Sequence, residues 1–233
     1  MRVLAVVHGE EVRSGVFADP IAARGHELEE WSIARRPAPS RPLDAYSAVI
    51  VFGGSMHADQ EESHPWLRDE EALLRRFLDS RRPVLGVCLG AQLVAKTAGA
   101  WVGRASEPEI GWHTVELTPA AAHDPLFARL PRRFEALQWH YYAFGVPAGA
   151  TELARSRISS QAFRLGELAW AVQFHPEVTR AMVEDWLEEP EEVELDREAL
   201  RRETHERIEE WNALGRELCA SFVAVAERLR LAA

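Results

Sequence analysis

Cysteine and lysine are nearly absent from this sequence. Its 233 residues include only two cysteines, Cys88 and Cys219, which lie far apart in unlike surroundings. Two such residues do not make the disulfide framework of a small secreted domain, so we expect a reducing, cytoplasmic environment. Lys96 is the only lysine, and the arginines are scattered among acids that give a formal net charge of -10. A nucleic-acid surface needs clustered basic residues, so we do not expect nucleic-acid binding.

Long apolar runs and cofactor motifs are also missing. No stretch of about 18 consecutive apolar residues occurs, so no membrane-spanning helix is expected. The apolar start, residues 3–7, is too short for the hydrophobic part of a signal peptide. The histidines show no spacing typical of metal ligands, and no glycine-rich phosphate-binding motif is found. We therefore expect neither a metal nor a nucleotide cofactor.

Short apolar runs separated by an amphipathic segment predict the fold class. Three runs are continuously apolar: 3–7, 48–52 and 83–87. Such runs are typical of buried parallel strands, and residues 64–80, which follow Ser63, have the apolar spacing of a crossover helix. The segments 112–117 and 151–163 are rich in β-forming residues and broken by turns. This order predicts an α/β fold with an open, mostly parallel, doubly wound (flavodoxin-like) sheet and flanking helices.

The end of the chain has a different composition. Between residues 188 and 210, eleven acids occur with four arginines. Such a segment forms either a solvated helix face or an acidic docking surface for a partner. Residues 208–231 have apolar positions at spacings of three and four, which predicts a helix packed on the rest of the protein. We find no repeat or linker, so 1–233 is predicted to be a single domain with an acidic helical extension at about 188–233.

The third apolar run leads into a cysteine flanked by glycines, in the segment Gly86-Val87-Cys88-Leu89-Gly90-Ala91-Gln92. A helical pattern follows at once, which indicates a nucleophile elbow, a tight strand-to-helix turn that holds a reactive side chain in a strained pose. Glycines leave space where the turn would crowd a Cβ atom, and the start of a helix favours negative charge nearby. We therefore expect Cys88 to be a nucleophile and not a buried core cysteine.

The last predicted strand, residues 169–174, runs directly into His175-Pro176-Glu177. A cysteine nucleophile needs a base within hydrogen-bonding reach, and that base needs a third group to fix its tautomer. Alone, a His-Pro-Glu segment is a turn in most proteins. Together with the cysteine elbow, it predicts a triad of Cys88 as nucleophile, His175 as base and Glu177 as orienting carboxylate.

These two motifs resemble those of the class I glutamine amidotransferases, whose elbow reads Gly-x-Cys-x-Gly-x-Gln and is followed later by His-Pro-Glu. The resemblance covers about residues 1–187 and leaves out the acidic tail. Segments 139–140 and 154–156 are most similar to stand-alone proteins that resemble the amidotransferase domain of GMP synthase. The resemblance implies hydrolysis of the glutamine side-chain amide through a γ-glutamyl thioester. It also implies ammonia transfer to a synthetase, which we expect to be a separate chain.

The resemblance extends to groups that contact the substrate. An oxyanion forms during attack on an amide and requires preorganised donors. The N–H of Leu89, next after the nucleophile, is one such donor, and the resemblance implies a second on the loop 53–55, at Gly54. A simple turn after a strand is the alternative interpretation of this loop. Gln92 matches the family position that contacts the substrate glutamine.

One position departs from the family pattern. In the family a segment like 138–142 usually has glycine after its histidine, and its backbone touches the amino-acid end of the substrate. Here Tyr141 stands there, followed by Tyr142. We expect both residues to bind the substrate and His140 to have a structural or pocket-lining role. This departure leaves the substrate open between glutamine and other γ-glutamyl amides or peptides, which a γ-glutamyl hydrolase would cleave without a partner. The intact triad argues against a third alternative, a silent regulatory subunit.

Overall fold

A computed structural model describes residues 1–9, 12–35 and 38–232. The strands are β1 (Arg2–Val7), β2 (Glu27–Ser32), β3 (Ala48–Val51), β4 (Val84–Val87), β5 (Val102–Leu117), β6 (Arg133–Phe144), β7 (Ala150–Arg155), β8 (Ser160–Leu165) and β9 (Ala169–Val172). The helices are α1 (Ala18–Ala23), α2 (Trp66–Asp79), α3 (Leu89–Thr97), α4 (Arg180–Glu188) and α5 (Arg197–Ala232). Short 3-10 helices occur at Gly15–Phe17, Leu43–Ala45 and Pro119–His123.

The strands form one mixed sheet in the order β2-β1-β3-β4-β9-β8-β7-β5-β6. The first five are parallel to one another, in agreement with the predicted α/β fold, but the pairings from β9 to β6 are all antiparallel. The prediction of a mostly parallel sheet was therefore wrong for half of the sheet. The physical reason lies in the connections, because β8 and β9 are joined by a tight turn at Gly166, with φ +59, and short connections permit only antiparallel pairing.

Helices cover both faces of the parallel half. Alternate residues of β1 point to opposite faces, as the period of a strand requires. Val3 and Ala5 belong to the apolar core shared with α5, whereas Leu4 and Val6 belong to the core shared with α2 and α3. Burial on both faces explains why these strands read as continuous apolar runs in the sequence.

Two predicted boundaries differ from the structure. The crossover helix is α2, which begins at Trp66 after Pro65 and has no side-chain cap, so Ser63 does not begin it. The last strand, β9, ends at Val172, two residues earlier than predicted. His175 therefore lies in an irregular segment beyond the sheet.

The predicted helix at 208–231 lies within α5, which begins at Arg197. Its apolar face is buried through residues that include Ile208, Trp211 and Phe222. It packs against α1, α4 and β5. Within the described ranges, no helix is both long enough and apolar enough to span a membrane.

Candidate active site

The carboxyl ends of the central parallel strands meet at one edge of the sheet. His8 follows β1, Gly53 follows β3 and Cys88 follows β4. A cavity of about 550 Å³ opens at this edge. Seven predicted site residues line it: Gly54, Cys88, Leu89, Gln92, Tyr141, Tyr142 and His175. The topology thus brings together residues from four separate stretches of the chain, as expected for open α/β sheets.

Cys88 has the strained backbone that the flanking glycines predict. Its φ is 52° and its ψ is -108°, a conformation rarely adopted by residues with a side chain. A Cβ atom on Gly86 would lie 2.5 Å from the carbonyl oxygen of Gly90. One on Gly90 would lie 2.0 Å from the carbonyl oxygen of Val51. Both glycines are therefore required for the turn that places Cys88 before α3.

His175 is buried and held by Glu177. Its Nδ1 lies 2.8 Å from Glu177 Oε1. Burial by itself lowers the pKa of His175, but the neighbouring Glu177 and Cys88 outweigh it and raise the pKa to about 10. The imidazole therefore keeps its second proton at neutral pH.

The C-terminal helix holds the segment that carries His175. Trp211 Nε1 donates a hydrogen bond of 2.8 Å to the carbonyl oxygen of His175. One turn later, a Cβ atom on Gly215 would lie 1.9 Å from the carbonyl oxygen of Pro176, so only glycine permits this approach. On the other side, the backbone N–H of His175 donates to Leu137 O at 2.9 Å. The imidazole is thus positioned from β6 and from α5.

Two backbone amides beside Cys88 are free to bind a ligand. Leu89 is the first residue of α3, and the first amides of a helix have no partner within it. Among the described residues, none accepts a backbone hydrogen bond from the amide of Leu89 or Gly54. Gly53, next to Gly54 in this loop, lies against the imidazole, since a Cβ atom on Gly53 would be 2.9 Å from His175 Cε1. These amides are suited to stabilise a negatively charged oxygen.

Gln92 lines the cavity and is buried. Its Nε2 donates to Tyr142 O at 3.1 Å and to Gln173 Oε1 at 3.2 Å. Both hydrogens of the amide are therefore used within the protein. Of the polar atoms of this side chain, the carbonyl oxygen is left to contact a ligand.

Tyr141 borders the cavity, and its hydroxyl group is bonded to the acidic tail. Residues 189–192, which we call the acidic strap, follow α4 and line the cavity. The Tyr141 hydroxyl donates to Glu191 Oε2 at 2.6 Å, and Trp139 Nε1 donates to Glu191 Oε1 at 2.6 Å. The Tyr141 hydroxyl also accepts from the N–H of Glu192 at 2.9 Å. This part of the acidic tail therefore lies outside the helices and forms one wall of the cavity.

The other aromatic and histidine residues of the mouth are also paired. The ring of Tyr142 stacks on His57 with centroids 4.1 Å apart, and its hydroxyl donates to Asp59 at 3.2 Å. His140 is buried, and burial lowers its pKa to about 3, so it is neutral. Its Nε2 lies 3.1 Å from Gln138 Oε1. Among the described residues, no group of three or more His, Cys, Asp or Glu is arranged to hold a metal ion.

Sequence reasoning missed three residues that the structure places around the site: His8, Trp211 and Glu191. A signal for His8 was present, because it follows a predicted parallel strand and such strand ends share an edge. No local pattern identifies Trp211 or Glu191, because their partners His175 and Trp139 are 36 and 52 residues away in the sequence.

Known proteins share both the sequence pattern and this fold. The family model described as Glutamine amidotransferase class-I matches residues 18–185. A glutamine amidotransferase-like protein of Salmonella typhimurium, YfeJ, is 30% identical over 206 residues, which cover 86% of this chain and 86% of that protein. A GMP synthase (glutamine-hydrolyzing) of Aeropyrum pernix is 33% identical over 74% of this chain, but the match spans only 34% of its own length. The crystal structure of a glutamine amidotransferase from Thermotoga maritima has a TM-score of 0.87 and 32% identity, covering 96% of this chain and 98% of that one.

Proposed function

This chain belongs to the class I glutamine amidotransferase family, and we propose that it hydrolyses the side-chain amide of glutamine through a γ-glutamyl thioester on Cys88. The products are ammonia, which leaves first, and glutamate. The observation that carries the proposal is the strained Cys88 beside the buried His175–Glu177 pair. A positive φ at a nucleophile between two indispensable glycines stores strain that a structural cysteine does not need.

In the first half of the reaction, Cys88 Sγ attacks the amide carbon and forms a tetrahedral intermediate with a negatively charged oxygen. The N–H groups of Leu89 and Gly54 donate to that oxygen. His175 carries the proton that the thiol gives up and delivers it to the departing nitrogen, so that ammonia leaves. Glu177 keeps Nδ1 protonated and stabilises the charged imidazole.

In the second half, a water molecule attacks the thioester carbon. His175 accepts a proton from that water and returns it to the sulfur as the carbon–sulfur bond breaks. Glutamate and the free Cys88 thiol result. One water is consumed for each glutamine, and no cofactor takes part.

A separate synthetase chain consumes the ammonia in this proposal. The match to the GMP synthase of Aeropyrum pernix, which spans about a third of that protein, supports a combination of such a domain with an acceptor enzyme. The amidotransferase-like protein YfeJ and the Thermotoga maritima amidotransferase are matched over 86% and 98% of their lengths. These matches support chains of this family that carry no attached synthetase domain.

The test is an ammonia and glutamate assay on the purified protein. We expect glutamine to be hydrolysed and asparagine to be left intact, since the carbonyl must reach from the amino-acid site to Cys88. The Cys88→Ser variant serves as the control and should have no activity. A wild-type protein that is folded and alkylated at Cys88, yet inert towards every γ-glutamyl compound, would point to the silent regulatory subunit.

A second candidate function is hydrolysis of larger γ-glutamyl amides or peptides without a partner. The observation that favours it is the cavity of about 550 Å³, bordered by Tyr141 and the acidic strap. Cavities of this size hold drug-sized ligands, which exceed a single amino acid. A higher kcat/KM for γ-glutamyl dipeptides than for glutamine would decide for this function.

A further inference from the structure

His8 lies behind the loop that carries Gly54, outside the cavity. Its Nδ1 is 2.7 Å from the carbonyl oxygen of Gly53. A carbonyl oxygen only accepts, so Nδ1 carries a hydrogen and donates. The imidazole is itself held, because its Nε2 lies 3.0 Å from both carboxylate oxygens of Glu70 on α2. Both side chains are fully buried, and the ring stacks on Trp66 with centroids 5.2 Å apart.

The hydrogen bond from His8 acts on a peptide unit of the candidate oxyanion site. The carbonyl of Gly53 and the N–H of Gly54 belong to the same planar unit. In a trans peptide these groups point in opposite directions, so a carbonyl held towards His8 turns the N–H away from it. Cys88 lies close to this peptide unit, since a Cβ atom on Gly53 would be 3.4 Å from Cys88 Cβ.

Gly53 and Gly54 have no side chains that could hold this peptide in place. Glycine has the widest choice of backbone angles of any residue, so a Gly53–Gly54 peptide can flip unless it is fixed from outside. A Cβ atom on Gly54 would lie 2.9 Å from His8 Cβ, so His8 also packs directly against this residue. A fixed donor stabilises a transition state without reorganisation, whereas a mobile one does not.

We propose that His8, held by Glu70, is a positioning residue that aims the N–H of Gly54 at the oxyanion formed on attack by Cys88. The inference rests on the proposed function, since it assigns a role to His8 in the same covalent chemistry. It concerns every acyl transfer to Cys88, whichever γ-glutamyl compound is the substrate.

Two variants separate this role from a structural one. In asparagine, the amide nitrogen occupies about the position of the Nδ1 of histidine, so His8→Asn keeps a donor for Gly53 O. In glutamine, the amide nitrogen matches Nε2, so His8→Gln keeps the contact with Glu70 but loses that donor. Both variants retain a polar group in the buried site. The double variant His8→Leu/Glu70→Leu removes the whole pair without leaving a buried carboxylate unpaired.

Two reactions of Cys88 provide the readout. Acylation by p-nitrophenyl acetate passes through an oxyanion: the sulfur attacks the ester carbon, a thioester forms and p-nitrophenolate leaves. Alkylation by iodoacetamide displaces iodide from a saturated carbon and forms no oxyanion. Rates in the Cys88→Ser variant are subtracted from both. Neither reaction requires recognition of glutamine.

We expect acylation to fall about 30- to 100-fold in His8→Gln and in the double variant, near the lower range for loss of one oxyanion donor. Alkylation should stay within about twofold of wild type, and His8→Asn should recover most of the acylation rate. Equal losses in both reactions, or unchanged acylation in His8→Gln, would overturn the proposal. If the double variant does not fold, the asparagine and glutamine variants decide. A wild type that is acylated but does not cleave γ-glutamyl compounds refutes the proposed function and leaves this comparison intact.

Discussion

Trp211 donates a hydrogen bond of 2.8 Å to the carbonyl oxygen of His175, although 36 residues separate them. Trp211 lies on α5, outside the residues 18–185 that match the family model. The match to the Thermotoga maritima structure covers 96% of this chain and so includes most of α5. The C-terminal helix is therefore part of the framework that positions the imidazole.

We predict that Gly215→Ala strongly lowers kcat, while the protein remains folded. The added methyl group would lie 1.9 Å from the carbonyl oxygen of Pro176 and must push the His175 segment aside. A displacement of about 1 Å at a catalytic group reduces rates by about 100-fold. Steady-state kinetics and thermal unfolding check this, with Ala213→Ser, an exposed change on the same turn, as the control. A normal kcat in Gly215→Ala would show that the segment adjusts without moving His175.

The backbone turn at Cys88 and the pairing of His175 with Glu177 could be predicted because their requirements are local. Gly86 and Gly90 are needed by the turn around Cys88 itself, and His175 and Glu177 are two residues apart. The parallel half of the sheet could also be predicted from the sequence, because strands that are buried on both faces are apolar throughout.

The remaining features depend on contacts between distant residues. The acidic tail has a composition typical of a solvated surface, and only the fold brings Glu191 within 2.6 Å of both Trp139 Nε1 and the Tyr141 hydroxyl. The antiparallel pairing was missed because the half-exposed strands β5–β8 mix polar and apolar residues and give weak signals. The role of Gln92 was predicted from the motif, yet its amide hydrogens are used by Tyr142 and Gln173.

We predict that alkaline pH destabilises the protein through His175. Its pKa is raised from about 6.5 to about 10 in the folded state, so the stabilising interaction is fully present below about pH 6.5. Between these values the folded state binds more protons than the unfolded state, and the free energy of unfolding falls as pH rises towards 10. Glu177→Gln removes one of the charges that raise the pKa of His175. In this variant the fall in the free energy of unfolding should therefore end at lower pH. Chemical denaturation from pH 6 to 10 compares the two proteins, and identical curves would exclude this coupling.

Glu177→Gln and Cys88→Ala should also differ in their residual activity. The carboxylate orients and stabilises the imidazole, so its loss leaves weak hydrolysis, whereas Cys88→Ala leaves none. We expect the alkaline limb of the kcat/KM profile to shift to lower pH in Glu177→Gln, because the pKa of His175 falls. Steady-state rates across pH provide the measurement. Near-wild-type activity in this variant would mean that another residue is the third member.

We predict that Cys88 is the only thiol that reacts rapidly with electrophiles. Cys219 is completely buried on α5, its thiol donates to Phe17 O at 3.5 Å, and burial strongly raises its pKa. A glutamine-like diazo-ketone followed by peptide mass mapping should label Cys88 alone. Cys219→Ser serves as the control and should label and hydrolyse like wild type. Label mainly on Cys219 would refute the assignment of the nucleophile.

We predict that Tyr141 influences which γ-glutamyl substrate is preferred. Its ring borders the cavity, and its hydroxyl, whose pKa is raised to about 12 by burial and by the hydrogen bond to Glu191, stays protonated and bonded to the acidic strap. Tyr141→Gly removes both ring and bond and should raise the kcat/KM for glutamine relative to a γ-glutamyl dipeptide by about tenfold, equivalent to about 1.4 kcal/mol.

Tyr141→Phe is the matched control, because it keeps the ring and loses only the hydrogen bonds to the acidic strap. If the ring selects the substrate, the phenylalanine variant retains the wild-type ratio of kcat/KM values. If the bond to Glu191 selects it by holding the acidic strap in place, Tyr141→Phe and Glu191→Gln should both shift the ratio. Kinetics with both substrates in all three variants distinguish these causes. An unchanged ratio in every variant would mean that this side of the cavity does not contact the substrate, and the case for larger γ-glutamyl compounds would then rest on cavity size alone.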